Sequence, residues 1–415
     1  MIKNYLKITW KVLMRNKLFT FISLFGISFT LIILIVAASF FDYFTKSNYP
    51  AKKLDRISFI SNVRIWDEQT GKNSYNNYIG GSPSYYLLDN YARTLETPLK
   101  VSINSNFVTS VNSYINAQKL ELKIRHTDDE FWNVLDFKFI AGRPYNKNEV
   151  EDAQQVAVIS ESVAKTIFNE SQDAIGKQVE MDKINYTIIG IVKDVPFTSQ
   201  YAYGNVWVPI TTTKNDLSVK KLDGGYSAIL LAKKRGDLPK IESEFQAALK
   251  KIDFPFNGMN FIDCHAESVL EDFIRFSPVN KKTFSILLSA VIFILLFIPS
   301  LNLISMNTTR ISERLSEIGI RKSFGATKIA LTGQFLTENI VLTILGGVIA
   351  FIFSFIVLKF FQPTGIIPSE GFPLNFRIFF TGLFFCFLFG FISGVLPAYR
   401  MSRLQIVESL KGGEL

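Results

Sequence analysis

Apolar residues in this chain gather into four runs, and polar sequence separates those runs very unequally. The first, 18–41, is free of charge over about 24 positions, enough for a helix to cross a hydrocarbon core of about 30 Å with some tilt. The others are 283–307, 333–361 and 376–396. Pro299 and the polar Asn302 and Asn307 weaken and kink the second of them. Between the first and second lies a polar insert, 42–282, whose periodicities change along its length. The pattern predicts an α+β membrane protein: four transmembrane helices, with a large extracytoplasmic α+β domain inserted between the first and second.

Within the insert, Ser82 followed by Pro83 reads as an N-cap and first helical position leading into YYLLDNYARTLE. Gln155 to Ile159 reads as a strand and ESVAKTIF as a helix capped by Ser160. Ile184 to Val192, Val206 to Ile210 and Ala228 to Leu231 read as further strands. Leu238, Ile241, Phe245, Leu249 and Ile252 recur at three- and four-residue steps behind Pro239, which is one apolar helix face. VLEDFIRF, near the end of the insert, reads as a helix approaching the membrane. The N-terminal segment 1–17 carries Lys3, Lys7, Lys11, Arg15 and Lys17 and no acid. The first four form one stripe of a helix, with Tyr5, Leu6, Trp10 and Leu13 largely elsewhere, as expected of an amphipathic helix on an anionic leaflet. A basic flank to a membrane anchor and a cleaved signal peptide are the competing readings of this end.

Charge orients the runs. The chain carries a formal net charge of +9, yet residues 43–280 hold 28 Lys and Arg against 29 Asp and Glu. The basic excess therefore lies beside the apolar runs, which is the positive-inside pattern and not the basic folded face of a nucleic-acid binder. Arg310, Arg314, Arg321, Lys322 and Lys328 place segment 308–332 in the cytoplasm, with the tail 397–415. The loop 362–375 has one Glu and no Lys or Arg, so it is external. Both termini are then cytoplasmic and the insert extracytoplasmic. Cys264 and Cys386 fall in different phases and predict no disulfide, and neither they nor His126 and His265 make a metal site. No phosphate loop, nucleophile elbow or triad pattern occurs, so no catalytic residue is expected.

Several segments together resemble one family. SEIGIRKSFGATKIAL is similar to the cytoplasmic segment of MacB/FtsX-like ABC transporter permeases, although Ser316 stands where Arg is common and Ser323-Phe324 replaces a small-Leu pair. QFLTENIVLTILGGVIA resembles the opening of that family's third span, and LPAYRMSRLQIVESLK its closing segment. FWNVLDFKFIAGRP, VAVISESVAKTIF, IGKQVEM and YTIIGIVKDVP resemble successive pieces of a MacB-type periplasmic domain. The resemblance implies a permease subunit in a bacterial inner membrane that works by mechanotransmission, moving its external domain to export or extract a substrate. It implies a separate ABC ATPase holding ATP and Mg, with no cofactor in this chain, since residues 1–17 leave no room for a nucleotide-binding domain ahead of the first span. A second permease and an adaptor or lipoprotein carrier are further implied partners. Lipoproteins, peptides, macrolide-like drugs and lipids remain open as substrates. The alternative is an FtsX-like regulator of a cell-wall hydrolase, without transport; a sensor receptor would need an effector segment inside.

Candidate ATPase-coupling residues are Glu317, Ile318, Gly319, Ile320, Arg321, Lys322, Gly325, Ala326 and Lys328. Ile318, Ile320 and Phe324 would enter an apolar groove, Arg321, Lys322 and Lys328 would meet its acidic rim, and the glycines would allow close approach or a turn. Gly346, Gly347 and Ala350, with Gly390 and Gly394, are candidates for close helix packing. Glu338, Pro397, Arg400 and Arg403 are expected at the membrane interface, Glu338 as a cap or as the partner of a cytoplasmic base.

Overall fold

The computed structural model describes residues 9–11, 13–15, 17–45, 48–67, 78–115, 118–168, 172–254, 259–276, 282–291, 293–294, 297, 320, 323–325, 327–361, 376–377, 379–384, 387–388 and 391. The chain divides into two compact units, one of 1–41, 283–361 and 371–415, the other of 42–282 with 362–370.

The first unit is helical at nearly every described position. Helix α1 (Lys17–Thr45) runs four residues beyond the apolar run that predicts it. Among the described residues, two helices are long and apolar enough to cross a membrane, over Thr20–Phe41 and Leu336–Phe360. Hydroxyls within them bond to their own helix: Ser28 Oγ donates to the Leu24 carbonyl at 2.7 Å and Thr30 Oγ1 to that of Gly26 at 3.0 Å. Such back-bonding lets a polar residue sit in lipid without an orphaned donor.

The second unit is α+β. Strands β1 (Ile57–Ile60), β2 (Val63–Trp66), β3 (Tyr78–Pro83), β4 (Pro98–Ser105), β5 (Thr109–Ile115), β6 (Gln118–Thr127) and β7 (Phe139–Gly142) come first. Strands β8 (Val156–Ser160), β9 (Gln178–Met181), β10 (Ile184–Val192), β11 (Val206–Pro209), β12 (Asp223–Gly224), β13 (Tyr226–Ala232) and β14 (Phe261–Cys264) follow. The larger sheet has the order β1-β13-β4-β6-β11-β8-β10-β7, with β5 added on β6 and β9 on β10; the smaller is β12-β3-β2-β14. Strands β8 and β10 are parallel. Parallel neighbours need a crossover, and the amphipathic helix Glu161–Phe168 lies in it. Strand β13, paired on both edges, is buried at every position, as its unbroken apolar run requires.

Two cores result. The larger contains Phe131, Trp207, Ile241 and Phe245, and the smaller contains Ile159, Ile188 and Val206 beneath Val163 and Ala164. In the larger, Trp132 meets Phe137 at 5.0 Å, Tyr145 at 5.3 Å and Trp207 at 6.3 Å between ring centroids, all edge-on. Next to it lies a fully buried cation. Arg125 is 1% exposed, and its guanidinium donates to the carbonyls of Ser105 (2.6 Å), Gln200 (2.6 Å) and Tyr203 (2.7 Å) and to Asn104 Oδ1 (3.1 Å). Burial pulls it down to about 9, so it stays charged at neutral pH.

One local expectation fails. Ser82 and Pro83 belong to β3, and the cap is Ser84, whose Oγ accepts from the Leu87 N–H at 3.0 Å. Pairing of Ser82 and Pro83 with Gly224 and Asp223 holds the strand two residues longer than the Ser-Pro signal allows. The helix face behind Pro239 occupies Leu238–Leu249, with Ile241, Phe245 and Leu249 buried.

Candidate functional site

The helical unit is built on one long helix, which begins at Lys328, five residues before the apolar run, and ends at Phe361. Lys328 therefore opens this helix and does not lie in a preceding loop. A helical turn comes just before it: the Phe324 N–H donates to the Ile320 carbonyl at 3.1 Å, and Gly325 follows with φ +84°. A left-handed glycine ends a helix without a Cβ clash. Ile320 is 51% exposed and Phe324 88%, so two apolar side chains stand free on that turn.

Further along, Gly346 faces α1. A Cβ on Gly346 would meet Ile27 Cγ2 at 2.7 Å, and one on Gly347 would meet Leu383 Cδ1 at 2.8 Å. Gly382 is close to Leu31 in the same way, at 3.2 Å. Ala350 is fully buried beside Ile27, Leu31 and Leu342. Small residues thus bring helices of the first, third and fourth runs together, as expected where lipid supplies no hydrophobic drive between helices.

Burial in this unit is inverted relative to a soluble protein. On the long helix Gln334, Glu338, Asn339, Thr343 and Ser354 are buried, while Val348, Ile352, Phe355 and Ile356 are half exposed. Glu338 is 2% exposed, and its Oε1 accepts from the Gln334 amide at 3.2 Å. A cleft of about 270 Å³ between this helix and the fourth run is lined by Asn339, Ile340, Thr343, Phe384, Phe387 and Phe391, among others.

In the other unit a charged cluster surrounds the helix Val269–Phe276. Arg275 makes a bidentate pair with Glu267 (2.6 and 2.5 Å) and reaches Asp263 at 3.1 Å. His265 lies between Asp263 (2.8 Å from Nε2) and Glu242 (2.5 Å from Nδ1). Those hydrogen bonds, Asp263 first, raise the imidazole to about 9. A folded-state value above the ordinary 6.5 means that its contribution is full below about 6.5 and is lost as pH rises through about 9. Amide protection of 269–276 should accordingly fall between pH 7 and 10 in the wild type and be flat in His265→Gln. A fall of equal size in both would assign the loss to another group. Cys264 beside it is buried and free, with its thiol pushed up by burial.

The chain matches the model of the MacB-like periplasmic core domain over residues 20–248 and that of the FtsX-like permease C-terminal domain over residues 289–406. It belongs to the MacB/FtsX family of ABC transporter permeases. Among relatives, it is 25% identical to an uncharacterized ABC transporter permease, YvrN, of Bacillus subtilis, over 68% of each chain. It is also 25% identical to the macrolide export ATP-binding/permease protein MacB of Burkholderia cenocepacia, over 68% of this chain and 40% of that longer protein. Among solved structures, the periplasmic region of MacB from Actinobacillus actinomycetemcomitans aligns at 16% identity over 53% of this chain and 94% of the other, with a TM-score of 0.35.

Of the residues singled out for this permease from sequence, the structure brings Gly346, Gly347 and Ala350 to helix contacts and leaves Ile320 on an exposed turn closed by Gly325. Glu317, Ile318, Gly319, Arg321, Lys322, Ala326, Gly390, Gly394, Pro397, Arg400 and Arg403 lie outside the described residues. Sequence reasoning passed over Gly382, Gln334 and Asn339, and the whole cluster around Arg275. For the polar residues part of the signal was present, since Gln334 and Glu338 fall one turn apart on a helix, as do Asn339 and Thr343.

Proposed function

We propose that this permease couples ATP hydrolysis on a separate ATPase subunit to movement of its extracytoplasmic domain, and so exports or extracts a substrate. The observation that carries the reading is the exposed apolar pair Ile320 and Phe324 on a Gly325-closed turn, directly before the long helix. Free apolar side chains on a short cytoplasmic helix suit the groove of a partner, and the neighbouring Arg321, Lys322 and Lys328 suit its acidic rim. A push on the turn enters that helix at Lys328 and reaches α1 through the close contact at Gly346.

In this reading four helices cross the inner membrane, both termini are cytoplasmic, and the domain 42–282 is outside. ATP and Mg belong to the ATPase, and two permeases share one ATPase pair. An adaptor or lipoprotein carrier would meet the external domain. The length of that domain favours transport over regulation of a cell-wall hydrolase, for which a short domain suffices.

The test is co-purification. Phe324→Asp should reduce recovery of the ATPase at least tenfold, while Phe355→Asn, on an exposed face of the long helix, should not. Equal recovery from Phe324→Asp and the wild type would remove the turn from the coupling path.

A further inference from the structure

We infer that the charged cluster around Arg275 is a latch, which holds the helix Val269–Phe276 on the external domain at rest and releases it during the work cycle. The inference rests on the coupling function proposed above, because that helix is the part of the domain nearest in sequence to the second apolar run.

The helix is fastened at three points, each made by polar groups from other elements. Near its middle, Asp272 accepts from Ser61 Oγ at 2.5 Å and Asn62 Nδ2 at 3.0 Å, in the link between β1 and β2. At its end, Arg275 grips Glu267 and Asp263, and Arg64 of β2 donates to the Arg275 carbonyl at 2.6 Å. Behind that grip, His265 joins Asp263 to Glu242, and Glu242 also accepts from the Ala266 N–H at 2.6 Å. Glu242 and the neighbouring Gln246, which donates to the Cys264 carbonyl at 2.7 Å, sit on Leu238–Leu249, whose other face enters the main core. The chain of contacts thus runs from the approach helix to the centre of the domain.

The chemistry of the fastening points to release. Of the described side chains on this helix, Ile274 is buried and Val269 packs on the core, while the directional contacts are ionic or hydrogen-bonded. A helix held by its apolar stripe alone would expose that area to water when lifted, and here Val269 and Ile274 share the hold with the polar contacts. Separated charges re-solvate instead, so a polar fastening can open and close at small net cost. The groups are also mutually dependent, since Arg275 and His265 share Asp263. Pulling Arg275 away takes one partner from Asp263 and frees Glu267 and the Arg64 donor together, which gives two discrete states.

The experiment uses the full chain with its ATPase in lipid nanodiscs and reads amide exchange. Arg275→Gln should lower protection of 269–276 at least tenfold, with 226–232 in β13 unchanged as a report on the fold. In the wild type the same fall should appear only during ATP turnover. A Ser61→Cys, Asp272→Cys pair, oxidised, should abolish that response and the cellular phenotype, and reduction should restore both. If 269–276 stays protected through turnover and the oxidised pair remains active, the domain moves as one body and the latch does not exist. That result leaves the coupling reading standing, because coupling is tested separately by ATPase recovery from Phe324→Asp.

Discussion

Gly346→Leu separates the long helix from α1 and removes function in a chain that still reaches the membrane. The Cβ alone would lie 2.7 Å from Ile27 Cγ2 and 3.1 Å from Ile27 Cβ. Ile27 is β-branched and fully buried, so its χ1 cannot swing clear of the intruding carbon. The helices must move apart, and Leu342 and Ala350, which share that contact with Leu31, lose packing with them. Overpacking of this kind costs roughly 1–3 kcal/mol for added methylenes, and a whole isobutyl group lies at the upper end. Gly346→Ala should show a smaller loss of the same kind. Val348→Leu, at a half-exposed position two residues on, is the control, because its extra carbon faces outward. The measurement is the thermal stability of the full chain and its cellular phenotype. Equal melting of Gly346→Leu and Val348→Leu would show that the two helices do not meet at this glycine.

How much of this was legible beforehand depends on the range of the interaction. Long apolar runs announced α1 and the helix that ends at Phe361, because lipid selects on composition over some twenty consecutive residues. Their ends were misplaced by four and five residues, since hydropathy marks where lipid begins and backbone hydrogen bonding continues past that point. Gly346 could be named from its spacing to Ala350, but not its opposite number Ile27, more than three hundred positions away. Within the α+β domain the strand at Ile184–Val192 was readable because alternation and β-branching are local. Ser84 was missed as a cap because the decisive fact is the pairing of β3 with β12, which a Ser-Pro signal does not contain. The Arg275 cluster was out of reach for the same reason. Its members come from 61–64, 242–246 and 263–275, and each looks like an ordinary surface charge until the chain is folded.

Arg125→Met unfolds or severely destabilises the α+β domain at neutral pH, and it does so through the groups left behind. The arginine is fully buried and is held by carbonyls at Ser105, Gln200 and Tyr203 and by the Asn104 side chain. Methionine fills much of the stem's volume and supplies none of the five donors. The acceptors cannot turn to water, because the 200–203 turn is packed through Ala202 and through Tyr201 against Phe59, at 4.9 Å between rings. Each buried carbonyl without a donor costs about 1–3 kcal/mol, so the sum approaches 4 kcal/mol or more after relaxation. In a domain of this size that amounts to a fall in melting temperature of about 10 °C. Arg125→Lys should recover only part of the loss, since one ammonium cannot reach donors spread around a planar fork. Scanning calorimetry of the full chain in detergent would record both variants. A shift below 2 °C for Arg125→Met would mean that water or a local collapse satisfies these carbonyls, and that the turn at 200–203 is held by its aromatic packing instead.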